Sequence, residues 1–128
     1  MTGEAVAPGD VLLVALPSHE PKGHEQEGLR PAIVVGIPWG PVRYPVVIVV
    51  PLTTQSGIWA RENSTLYFPL PAGAGGIPKA FIVLIDQVRA VDVQRVRGHL
   101  GTLEEEVFEP ILNGLLRVFR KGGSLWYT

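Results

Sequence analysis

The sequence predicts a mainly β domain, a small and strongly curved, mostly antiparallel sheet or partial barrel with one helix at its C-terminal end. Three observations carry this. Glycine and proline together make up 27 of 128 residues, which favours many turns and short strands over a helical bundle. Val, Ile and Leu recur in short dense blocks bounded by turn residues, which is strand spacing. A sustained helical period appears in the last quarter of the chain. A chain 46% hydrophobic and 18% charged fits one domain over residues 1–128, with a flexible lead at 1–8 and a tail at 122–128.

The elements follow in order. Residues 10–16 (DVLLVAL) come after a Pro8-Gly9 turn and read as a first strand. Residues 17–30 (PSHEPKGHEQEGLR) have neither period and form a polar loop of the length that is often functional. Residues 31–37 (PAIVVGI) read as a buried strand, and residues 38–41 (PWGP) as a turn. Residues 44–52 (YPVVIVVPL) are too continuously apolar for a sheet with one wet face, so both faces should be covered. Residues 65–70, 81–88 and 93–101 supply three more strands, the second carrying Asp86 into the interior. Thr102 with Glu105 forms a capping box for the helix, whose apolar stripe runs Leu103, Val107, Ile111, Leu115 and Phe119. Pro110 should kink or break it.

Charge and residue types narrow the chemistry. With no cysteine there is no disulfide, thiolate metal site or thiol nucleophile. His19 and His24 share a loop, His99 lies far off, and no carboxylates stand at ligand spacing, so no metal site is expected. Neither a G-x-S-x-G elbow nor a phosphate loop ending in Lys-Ser or Lys-Thr occurs. The longest uncharged run, residues 44–60, is broken by Pro45 and Pro51 and is a poor membrane span. Without a signal-peptide pattern at its start, the chain reads as a soluble cytoplasmic protein. Although the net charge is −1, residues 30–100 hold seven bases against three acids. That excess of Arg30, Arg43, Arg61, Lys79, Arg89, Arg95 and Arg97 suits a local anion-binding surface. Polar residues gather at the ends of apolar strands: His24, Glu25, Gln26 and Arg30 before one, Thr53, Thr54 and Gln55 after another, Asp86 and Gln87 at the end of a third. Converging strand ends are a usual place for a site.

Four segments recur in a familiar order: GHEQEGLRPAIVV (23–35), VVPLTTQS (49–56), LPAGAGG (70–76) and VLIDQVRAVD (83–92). With the opening PGDVLLVAL and the closing GTLEEE helix, they resemble the MazF/PemK family of toxin endoribonucleases over nearly the whole chain. The Gly-x-Glu-Gln-x-Gly-x-Arg-Pro motif is the specific one. The resemblance implies a CcdB/MazF-like, SH3-like barrel core and a homodimer. It also implies cleavage of single-stranded RNA without metal or other cofactor, and inhibition by a cognate antitoxin with an acidic C-terminal segment. By matching position it assigns catalysis to Arg30, Thr53, His24 and Asp86. RNA contacts fall to Glu25, Gln26, Thr54 and Gln55, with Arg43, Arg61, Lys79 and Arg89 steering phosphates. Two departures stand out: residues 16–21 replace an Asp-Pro-Thr turn with a longer one lacking its aspartate, and Leu84 replaces a basic residue two before the Asp-Gln motif. Other readings are therefore kept open. One is a non-enzymatic gyrase poison of the CcdB type, for which the terminal SLWYT would matter. The other is a degenerate member that keeps antitoxin binding alone.

Overall fold

Among the described residues seven strands form one antiparallel sheet, in the spatial order 67–70, 81–84, 46–53, 28–36, 10–16 and 96–102, with 89–92 also paired to 46–53. They are described here from a computed structural model over residues 5–18, 23 and 26–126. The strands are β1 (Asp10–Leu16), β2 (Gly28–Gly36), β3 (Val46–Thr53), β4 (Tyr67–Leu70), β5 (Phe81–Leu84), β6 (Arg89–Asp92) and β7 (Val96–Thr102). The first strand has the limits its sequence suggests. β2 begins earlier than the apolar run, at Gly28, whose φ of +84° turns the chain out of the preceding loop in a conformation side-chain residues rarely adopt.

The segment expected as one strand over 81–88 is divided. Val83 pairs with Leu52 and Arg89 with Val49, so six steps along one chain face three along the other. The surplus forms a 3-10 turn, Ile85–Gln87, that buries Ile85 and lifts Asp86 to the surface. Asp86 is thus exposed, not interior, because the excess residues act as a large bulge and re-aim the side chains beside it. A second such turn, Val93–Arg95, delays the last strand to Val96. A short helix α1 (Ile58–Arg61), too brief to show a period in sequence, follows β3.

The curved sheet has a core on each face. Val11, Ile33, Val50, Leu52, Val83 and Ile85 meet the C-terminal helix α2 (Glu105–Lys121) through Phe108, Ile111 and Leu115. On the other face Leu12, Val14, Leu16, Ala32, Val34, Val47, Val49 and Val91 form a second cluster. β3 contributes alternately to both, which is why its sequence is apolar throughout. The Gly-rich segment Ala74–Gly76 lies against β7: a Cβ on Gly76, at φ +81°, would stand 2.1 Å from the Leu100 carbonyl oxygen.

Two expectations for α2 change. Its N-cap is Glu104, without a side-chain cap, and no Thr102 capping box forms. The Thr102 hydroxyl instead donates to Asp10 Oδ1 at 2.8 Å, while Asp10 Oδ2 accepts from the Ala7 amide at 2.9 Å. A buried carboxylate that needs donors takes the hydroxyl before the helix can. The helix also runs through Pro110 unbroken. Pro110 faces solvent in the second turn, and burial of Phe108, Ile111 and Leu115 on the opposite side offsets the lost backbone bond. In the tail, Leu125 and Trp126 are exposed and do not dock.

Candidate active site

β2 and β3 bring the two most specific motif residues together. The ladder pairs Val34 with Val49, Ile33 with Val50 and Ala32 with Pro51. The ladder ends there; Arg30 and Thr53 each lie two residues beyond its last pair, so the pleat puts both on the face of Ala32 and Pro51. The other side of β2 agrees, since Arg30 pairs with Val14 and Ala32 with Leu12, both in the second core cluster. Arg30 and Thr53 therefore stand at the rim of that cluster, one exposed and the other buried.

Each has a local bond that orients it. Arg30 Nε donates to the Glu27 carbonyl oxygen at 3.1 Å, which orients the guanidinium through its inner nitrogen. Thr53 Oγ1 accepts from the Gln55 amide at 3.2 Å, closing the strand as a hydroxyl turn while its own proton remains available to donate. Thr54 and Gln55 are exposed beyond it. Thr54 also lines a shallow cavity of about 490 Å³ with Ser56, Pro69, Pro71 and Phe81.

Gln26 and Arg89 belong to the same rim but touch each other. The Gln26 amide donates to Gln87 Oε1 at 3.2 Å, and Arg89 Nη1 donates to the Gln26 carbonyl at 2.9 Å. Arg89 faces Val49 across the β3/β6 ladder, on the second-cluster face. His24 and Glu25 lie outside the described residues. The remaining cations are dispersed. Arg43 sits 5.1 Å over the Tyr44 ring, Arg61 ends α1, and Lys79 is exposed before β5.

Asp86 is bonded to Tyr67. Its Oδ2 accepts from the Tyr67 hydroxyl at 2.7 Å, and Trp59 meets the Tyr67 ring edge-on at 5.0 Å. The bond to Asp86, then burial, then the carboxylate's charge push the Tyr67 phenol up to about 12. Asp86 also lines a cavity of about 640 Å³ with Asn63, Thr65, Gly114, Arg117 and Lys121. Nothing in sequence ties Tyr67 or the end of α2 to the Asp-Gln motif; the β4/β5 ladder, which pairs Tyr67 with Leu84, and the bulge after β5 do so. Among the described residues no group of three His, Asp or Glu side chains is placed to hold a metal, and no helix is long and apolar enough to cross a membrane.

A family model described as PemK-like, MazF-like toxin of type II toxin-antitoxin systems matches residues 7–119. The chain belongs to this family. It is 36% identical over 110 residues to endoribonuclease PemK of Escherichia coli, an overlap covering 84% of this chain and 74% of that one. To endoribonuclease EndoA of Bacillus subtilis (strain 168) it is 26% identical over 89 residues, covering 70% and 74%. Among solved structures, MazF of Deinococcus radiodurans aligns with a TM-score of 0.68 at 21% identity over 91% of this chain and 98% of that one. An endoribonuclease in complex with its cognate antitoxin, from mycobacterial species, aligns with a TM-score of 0.61 at 17% identity over 90% and 95%. These structures speak for the fold, which is CcdB/MazF-like; the family membership rests on the sequence.

Proposed function

We propose that this toxin-family chain is an endoribonuclease that cuts single-stranded RNA without a metal, at the rim where Arg30 and Thr53 face each other. The observation that supports the reading is the β2/β3 ladder, whose pleat continued two residues past its last pair brings Arg30 and Thr53 to one face. In the proposed reaction the ribose 2′-hydroxyl loses its proton to a base and attacks the adjacent phosphorus. The bond from phosphorus to the 5′-oxygen then breaks, leaving a 2′,3′-cyclic phosphate and a 5′-hydroxyl. Arg30 stabilises the pentacoordinate intermediate, because its cationic fork matches phosphate oxygens and a guanidinium is built to donate hydrogen bonds, not to accept a proton. Thr53 donates its hydroxyl to the same oxygens. His24, the imidazole of the same motif, carries the proton from the 2′-hydroxyl to the leaving 5′-oxygen. Thr54, Gln55 and Gln26 border the path of the strand, and Arg43, Arg61 and Lys79 attract its phosphates. The protein acts as a homodimer in the cytoplasm and is held inactive by an antitoxin with an acidic segment.

The test is incubation of the purified chain with mixed-sequence RNA in the presence of EDTA. Discrete fragments ending in cyclic phosphate are expected. Cleavage only after magnesium is restored would contradict the mechanism, and inhibition of DNA supercoiling with no RNA fragments would favour a gyrase poison.

A further inference from the structure

We propose that Gln87 and Arg89 form a clamp on the backbone of Gln26 and are positioning residues for Arg30, not contacts for RNA. The inference rests on the nuclease reading for its kinetic consequence, but its structural part stands on geometry alone. Gln26 is held at both of its polar backbone atoms from one short segment some sixty residues away: Gln87 Oε1 takes its N–H and Arg89 Nη1 gives to its C=O. Both bonds are partly buried, where a hydrogen bond, and above all a charged one, is worth more than at the open surface. The next residue, Glu27, offers the carbonyl that receives Arg30 Nε, and Gly28 then turns the chain into β2. A continuous run of contacts thus leads from the 3-10 turn after β5 to the plane of the Arg30 guanidinium. The bulge explains why the segment can do this. It sends Asp86 toward Tyr67 and Gln87 toward Gln26, so adjacent residues reach separate surfaces. Arg89, counted from sequence among the phosphate-steering cations, directs its Nη1 at a peptide carbonyl of its own chain.

The experiment compares Gln87→Met, Arg89→Met and the double variant with the wild-type chain. Mixed-sequence RNA is the substrate, and salt is varied from about 50 to 200 mM, a range over which phosphate contacts weaken steeply. Misplacing Arg30 should lower kcat by about 10- to 100-fold in either single variant. The salt dependence of KM should not change, and the double variant should be no worse than the worse single one, because both side chains act through one residue. Amide hydrogen exchange at Gln26 and through Arg30 should quicken in each variant while the thermal melt stays near wild type. A different result overturns the clamp: Gln87→Met neutral, and Arg89→Met reducing the log–log salt slope by about 0.7, the signature of one lost phosphate contact on a single strand. Unchanged exchange at Gln26 in both variants also overturns it, whatever the activities. If the wild-type chain cuts no RNA, the nuclease reading falls, and exchange decides the clamp by itself.

Discussion

The rim around Arg30 and the cavity around Asp86 are built from neighbouring stretches of chain, yet they differ in what holds them. At the rim, Arg30 and Thr53 continue the pleat of two long paired strands, and both are bonded to backbone groups within three positions of themselves. At the cavity, Asp86 sits on a three-residue turn and is tied by its side chain to Tyr67, nineteen positions away, with Arg117 and Lys121 of α2 across the opening. A ladder fixes side-chain direction by its pleat, whereas a bulge leaves it to whatever partner is within reach. The rim is thus the more rigid platform for a reaction that depends on positioning.

The comparison is broken most directly at the rim. Arg30→Ala and Thr53→Ala should each reduce RNA cleavage by about 10²- to 10³-fold, the usual cost of one donor aimed at developing charge. Thermal melting should stay near wild type for Arg30→Ala, since the residue is exposed and its bond to Glu27 lies at the surface. Full activity in either variant would move the chemistry elsewhere. A large drop in melting temperature would mean that these side chains hold the fold together and do not belong to the reaction.

The rim was legible in sequence for a physical reason: both residues flank uninterrupted apolar runs, and an antiparallel ladder between such runs aligns their ends. β1, β3 and α2 were readable likewise, because their burial imprints a period or a continuous block. What the sequence hid are consequences of contacts between distant segments. A run written as FIVLIDQVR gives no sign that the six steps from Val83 to Arg89 will face three of β3, so the sequence points Asp86 inward and the structure exposes it. Thr102 reads as a helix cap until Asp10, ninety-two residues earlier, takes its hydroxyl. Arg89 looks like any other surface cation until the carbonyl of Gln26 is seen beside it.

A smaller effect sharpens the contrast from the other side. Asp86→Ala removes the carboxylate from the cavity without touching the ladder between β2 and β3, so cleavage should fall by less than about tenfold, below the cost of one lost oxyanion donor. Measuring kcat and KM for this variant beside Arg30→Ala separates the two surfaces. A loss as deep as that of Arg30→Ala would bring Asp86 into the reaction and make the rim and the cavity one site.

The smallest effect requires no RNA. Tyr67 gives its proton to a bond with Asp86, so ionising it removes the donor and sets a phenolate against a carboxylate. That bond, with burial and charge behind it, holds its pKa near 12 against an ordinary value of 10.0. The folded chain therefore keeps this proton more tightly than the unfolded one. The stability it contributes is whole below pH 10 and is lost as the pH rises through 12. The chain has three tyrosines, Tyr44, Tyr67 and Tyr127. In an ultraviolet titration of the phenolate band, one of the three should lag, and Asp86→Ala should bring it back toward 10. Tyr67→Phe should remove the late phase altogether while leaving RNA cleavage at neutral pH near that of the wild type, because the phenol bonds Asp86 and the proposed reaction runs at the rim. A late phase unmoved by Asp86→Ala would mean that burial, and not the carboxylate, governs this phenol, and the pairing that separates the cavity from the rim would lose its support.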